Sequence, residues 1–232
     1  MSEFTLLIGT ASIIAFTHTL FGPDHYLPFI VMSKARKWSN FKTIWMTIAC
    51  GLGHVGSSIV LGIIGVAFGI GMGEIEFFEG FRGNLAAWAF IIFGLLYMLW
   101  GIHRAVNNKP HKHRHIHADG TIHVHEHTHS DEHDHTHKAN ITPWVLFSIF
   151  VLGPCEPLIP IMMKGQESLG TFGFVMIALI FSLVTIITML AVVLLASRGI
   201  SLLPFGKMEK YTHAIAGATI LASGCAIVFL GL

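Results

Sequence analysis

The sequence predicts an all-α membrane protein whose six transmembrane helices form an inverted 3+3 repeat, with the first and fourth helices broken at Gly-Pro. Three observations predict it. Charged residues are 12% of the 232-residue chain and apolar ones 53%, where a soluble domain carries about a quarter charged residues. Apolar runs long enough to cross a bilayer recur along the chain. Finally, "FGPDHYLPFIVM" (Phe21 to Met32) aligns without gaps to "LGPCEPLIPIMM" (Leu152 to Met163), 131 residues later.

The first span runs from Phe4 to about Met32, interrupted at Gly22-Pro23. No basic start or small-residue cleavage site precedes it, so this run is expected to stay in the protein. The second span covers Thr43 to about Ile70 and the third Asn84 to Ile102. After a polar loop, the fourth covers Ile141 to Met163, interrupted at Gly153-Pro154, the fifth Thr171 to Ser197 and the sixth Tyr211 to Leu232. At about 1.5 Å per residue each crosses a hydrocarbon core of about 30 Å. The chain thus divides into a first three-helix repeat (1–102), a His-rich loop (103–140) and a second three-helix repeat (141–232).

Basic residues orient these spans. Lys34, Arg36, Lys37 and Lys42 occupy the first connection; Arg104, Lys109, Lys112, Arg114 and Lys138 the His-rich loop; Arg198, Lys207 and Lys210 the last connection. The alternate connections hold Arg82 among Glu74, Glu76 and Glu79, and Lys164 beside Glu167. An inner-membrane, multi-pass topology follows, with both termini outside and the His-rich loop in the cytoplasm. Three transmembrane segments per half make the second half enter from the opposite side, the plan of many secondary transporters.

The repeat matches Gly22 to Gly153, Pro23 to Pro154, Asp24 to Cys155, His25 to Glu156, and, further on, His54 to Thr185. Proline removes a backbone donor and breaks the turn before it. Freed backbone groups are tolerated in a bilayer only inside protein or beside a watery cavity, and transporters place their binding sites at such breaks. Ionisable residues within spans are costly and mark functional sites by default. Imidazole, carboxylate and thiolate together suit a transition metal rather than calcium or magnesium. His18 precedes His25 by seven residues, two helical turns. His54 sits in "ACGLGHVGSS", where Gly51, Gly53 and Gly56 allow another helix close and Ser57, Ser58 and Cys50 add polarity. The candidate midplane metal site is therefore His18, Asp24, His25, His54, Cys155 and Glu156. His18 or His54 alone could equally bond a neighbouring carbonyl, and His213, at the start of the sixth span, is read that way. Cys50 and Cys225 read as small buried hydrophobes, and three cysteines without framework spacing argue against structural disulfides. No arginine lies inside a predicted span to pair with Glu156.

Eleven of the sixteen histidines fall in "HKHRHIHADGTIHVHEHTHSDEHDHTH". They are His111, His113, His115, His117, His123, His125, His127, His129, His133, His135 and His137. Alternation places successive imidazoles on one side of an extended chain, where two or three can chelate one ion. Asp119, Glu126, Asp131, Glu132 and Asp134 add oxygen ligands. The loop lacks apolar periodicity, so order is expected only with metal, and Asp119-Gly120 suggests a turn folding two histidine runs into a hairpin. Nickel, cobalt, zinc and copper would all bind. Near pH 6.5 metal and protons compete for such imidazoles.

"HTLFGPDH", the "GHVGSS" second span and the cytoplasmic histidine-rich loop resemble the nickel/cobalt exporters of the NicO type and the UreH-like membrane proteins. These belong to a superfamily with the lysine exporters, the sulfite exporter-like proteins and the thiol transporters of cytochrome c biogenesis. That permease signature is His, four residues, then Asp-His; here five residues separate His18 from Asp24-His25. The resemblance implies outward transport of nickel or cobalt, with Asp24 and His25 as metal-site positions. "GPCEPLIP" resembles the proline-flanked cysteine motif of the thiol transporters, but Asp24 stands opposite Cys155, so Cys50 would have to be the second thiol.

The sequence reading is thus a secondary transporter of divalent transition metal ions, nickel/cobalt efflux first. Metal import, a thiol-disulfide electron carrier through Cys50 and Cys155, and a metal-delivery accessory protein stay open. An anion exporter is disfavoured, because the predicted cavity offers carboxylates and no arginine or lysine. No ATP-binding loop is present, and neither an enzymatic activity nor a permanent cofactor is called for. The partners expected are membrane lipid, the transported ion and protons as coupling ion, with room for a homodimer; the charge pattern asks for no nucleic acid.

Overall fold

A computed structural model describes residues 2–107, 142–201 and 206–231, and between them the backbone of 111–116 and 122–127. Helix α1 (Glu3–Phe21) is followed by a 3-10 turn (Pro23–His25), α2 (Leu27–Ala35), α3 (Asn40–Phe68) and α4 (Met72–Asn107). Strands β1 (His111–Ile116) and β2 (Ile122–His127) come next, then α5 (Thr142–Leu152), α6 (Leu158–Ser201), a second 3-10 turn (Gly206–Tyr211) and α7 (Thr212–Leu230). Among the described residues five helices are long and apolar enough to cross a membrane, and large apolar side chains such as Phe21, Phe68, Phe77 and Phe229 are exposed on them. The chain is a multi-pass α-helical membrane protein.

Helix starts and stops follow local chemistry. The Ser2 hydroxyl accepts the Thr5 N–H at 3.3 Å and the Ser39 hydroxyl the Lys42 N–H at 3.2 Å, each satisfying a donor that a first helical turn leaves free. Gly69 ends α3 in the left-handed conformation (φ 62°) and returns its N–H to the Gly65 carbonyl. Both predicted Gly-Pro breaks are present. α1 stops at Gly22, and the 3-10 turn beginning with Pro23 redirects the chain into α2. α5 stops at Leu152, and α6 begins at Leu158. Gly170 (φ 64°, ψ −158°) then divides α6 into 158–169 and 171–201. The ends of α1 and α5 and the starts of α2 and α6 are each 131 residues apart.

The third element differs from expectation. α4 starts twelve residues before Asn84 and runs five beyond Ile102, about 54 Å in all. Glu74, Glu76, Glu79 and Arg82 are therefore helical rather than a connection. Glu79 and Arg82, three residues apart, form an ion pair on one face, so the helix carries both charges without a break.

α4 and α7 pack backbone against backbone. A methyl group at Gly94 would strike the Leu221 backbone, at Gly101 the Ala214 backbone, and at Gly217 the Met98 backbone, while one at Gly224 would lie 2.9 Å from the Ala87 carbonyl oxygen. The descending register makes the pair antiparallel, with backbones in contact through glycines, as membrane helices pack. The buried apolar side chains form two cores. One gathers Phe29, Met32, Leu146, Phe150, Met189 and Ile220. The other gathers Ala11, Ala15, Val55, Cys155, Leu158 and Phe181. Gly51 and Gly53 accept close neighbours on α6 (Ile186, Met189) and α5 (Val151, Phe147) as expected, whereas nothing lies within 4 Å of a methyl at Gly56.

β1 and β2 pair antiparallel, with His111 opposite His127, His113 opposite His125 and His115 opposite His123. This is the hairpin the histidine pattern suggests. Its Asp119-Gly120 turn, and His117, His129, His133, His135 and His137, lie outside the described residues.

Gly217→Leu is expected to lower the melting temperature of the purified protein clearly, since overpacking costs about 1–3 kcal/mol or more. Gly9→Leu, with nothing within 4 Å of the added carbon, should leave it nearly unchanged.

Candidate metal centre

The first break delivers two imidazoles. His18 lies in the last turn of α1, and its Nε2 is buried with no hydrogen-bond partner. His25 ends the 3-10 turn and is buried. Its Nδ1 lies 3.1 Å from the Gly22 carbonyl oxygen and 3.3 Å from Asp24 Oδ1. Both neighbours are acceptors and call for the proton on Nδ1; in the neutral imidazole Nε2 then carries the lone pair. That Nε2 lies 3.2 Å from Nε2 of His54, which is buried on α3. The rings of His18 and His54 each meet the His25 ring edge-on, at centroid distances of 4.8 and 4.9 Å.

The second break supplies sulfur. Cys155 follows Pro154, is fully buried, and donates its N–H to the Ser58 hydroxyl at 3.1 Å. One ligand atom each from His18, His54 and Cys155 lie within 4.8 Å of one another. Ligand atoms bound about 2.0–2.3 Å from one ion are at most about 4.6 Å apart, so small side-chain movements would close the cluster on a cation. A nitrogen without a partner, two facing ring nitrogens and a thiol together form a soft donor set, suited to late transition metals.

The structure sorts the predicted residues. His18, His25, His54 and Cys155 converge. Asp24 stands behind His25 against its Nδ1, the placement of a carboxylate that would orient a ligating imidazole rather than bind an ion itself. Glu156 does not join them. It is exposed and lines a cavity of about 310 Å³ between α4 and α6, with Ile75, Glu76, Glu79, Gly80, Ile159 and Pro160. The physical reason is the turn after Pro154, where adjacent side chains diverge, so Cys155 points inward and Glu156 out. His213 does not bond a carbonyl as expected; its Nδ1 lies 2.8 Å from the Tyr97 hydroxyl. Cys50 belongs to the core around Phe29 and Cys155 to the other.

Arg82 overturns the expectation that no arginine lies within a span. Its guanidinium is paired with Glu79 and bonds Ser57 Oγ at 2.6 Å. Glu79 is almost fully buried. The signal in the sequence was the Glu-x-x-Arg spacing itself, one helical turn inside an otherwise apolar stretch.

No family model matches the chain, and no curated protein or solved structure matches it. The chemistry of the centre therefore rests on its own residues.

Cobalt titration of the purified full chain tests the grouping. A thiolate-to-cobalt charge-transfer band is expected in the wild type, absent in Cys155→Ser, weakened about tenfold in affinity or more in His54→Ala, and retained in Glu156→Gln.

Proposed function

We propose that the protein is a secondary transporter of divalent transition metal ions, with nickel or cobalt carried outward as the leading case. The observation that carries this reading is the convergence of His18 and Cys155, each beside a helix break, with His54 of α3 inside an apolar bundle. Ionisable ligands at this depth are costly, and a soft donor set at broken helices is what a transported late metal needs.

The inverted repeat belongs to the same proposal. Element ends recur 131 residues apart. α1 packs against α6, and α5, its counterpart, against α3. The basic connections then place the α2–α3 turn, the histidine loop and the α6–α7 connection in the cytoplasm of an inner membrane, with both termini outside. On this reading the histidine loop collects ions near the cytoplasmic mouth. There Arg36 donates to the Tyr97 hydroxyl at 3.0 Å and to Thr142 Oγ1 at 2.7 Å, tying α2, α4 and α5 together, and α2 packs on α7. The repeat-related pair on the outer side, the start of α6 and α4, instead borders the cavity lined by Glu76, Glu79 and Glu156. On this reading the packed inner side and the cavity on the outer side would correspond to one end state of alternating access. Competition between protons and metal for the same imidazoles would supply antiport coupling.

Flux in proteoliposomes tests the proposal, with nickel, cobalt, zinc and copper offered singly. Wild-type protein is expected to carry at least one of them. His54→Ala should abolish that flux, and Asp24→Ala should cut it about 10–100-fold by loosening His25. Well-folded protein that binds metal but carries none would favour the accessory reading.

A further inference from the structure

The peptide on either side of Pro154 is held by groups that do not reach the imidazoles. Arg82 Nη2 donates to the Val151 carbonyl at 3.1 Å and the Gly153 carbonyl at 3.4 Å, as well as to Ser57 Oγ. These carbonyls end α5, where a helix leaves acceptors without intrahelical partners and favours a cation. Arg82 Nη1 pairs with Glu79. Glu79 in turn accepts the Ser58 hydroxyl at 3.2 Å, and Ser58 Oγ accepts the N–H of Cys155 at 3.1 Å. A methyl at Gly83 would sit 2.9 Å from Pro154 Cγ, so α4 also abuts the proline ring. The Arg82–Glu79 pair therefore grips the chain before Pro154 through carbonyls and after it through the Cys155 N–H. Because the two charges neutralise each other, the grip adds no net charge beside a cation site.

We propose that Arg82, acting through Glu79 and Ser58, is the positioning residue that presents the Cys155 thiol to the metal. Whether the centre offers sulfur, and so its preference for thiolate-binding ions over those satisfied by nitrogen and oxygen alone, is set from α4. The proposal rests on the reading of His18, His54 and Cys155 as a metal centre. A purely structural Arg82 would lower stability when replaced and leave the ligand set of the bound ion unchanged.

The test is cobalt titration of the full chain, read at the thiolate-to-cobalt charge-transfer band, which the loop histidines cannot produce. Arg82→Gln is expected to lower the affinity read at this band about tenfold and to reduce its intensity. Ser58→Ala, which removes the acceptor of the Cys155 N–H without touching a charge, should act in the same direction, and Arg82→Lys should recover part of the wild-type band. An undiminished band in folded Arg82→Gln and Ser58→Ala overturns the proposal while leaving the metal centre standing; if Arg82→Gln does not fold, Ser58→Ala decides. A wild-type band that is missing, or that survives Cys155→Ser, overturns the metal centre itself and the proposal with it.

Discussion

The structure depends on how two interrupted helices satisfy their backbone inside an apolar bundle. A Gly-Pro break leaves carbonyls and N–H groups that lipid cannot accept. The first break solves this locally: a 3-10 turn returns the His25 N–H to the Gly22 carbonyl at 3.1 Å, and the His25 ring caps the same oxygen. At the second break a turn returns the Leu158 N–H to the Cys155 carbonyl at 2.9 Å, while the Val151 carbonyl and the Cys155 N–H are met by Arg82 and Ser58 from two neighbouring helices. Each solution places a side chain of the candidate metal centre in the interior. The need to satisfy the backbone and the presence of the site have a common origin.

That arrangement needs a rigid frame. The glycine-lined contact of α4 with α7 brings two backbones together without side chains between them, which fixes Arg82 and Glu79 on one side and Tyr97 on the other. Asymmetry appears where the halves meet their counterparts. α2 rests on α7, while the start of α6 and α4 border a cavity. Between them lies the histidine and thiol cluster, at the junction of the two cores, with the His54 ring against Phe150 of one and its neighbour Val55 in the other.

Much of this was legible in the sequence because it rests on strong local signals. The Gly-Pro pairs announced both breaks, polar residues beside them announced His25 and Cys155, and a histidine within the glycine-rich second span announced His54. Alternating histidines announced a hairpin, whose strands pair as expected. Less legible was direction. Adjacent positions after Pro154 look alike in sequence, yet Cys155 turns inward and Glu156 into the outer cavity. Hidden too was α4, because four charged residues near its start read as a connection. Their neutralisation depends on an ion pair and on acceptors 69 and 71 residues away, at Val151 and Gly153, which no local pattern reveals. His213 and Tyr97 likewise meet only through the α4–α7 packing.

The most direct test of the central claim is an anomalous-difference map from crystals of the full chain grown with cobalt. The account predicts a peak within bonding distance of His18 and His54 nitrogens and of Cys155 Sγ, with Asp24 still on the far side of the His25 ring. Cobalt bound elsewhere in the protein, with no peak among these residues, would contradict it.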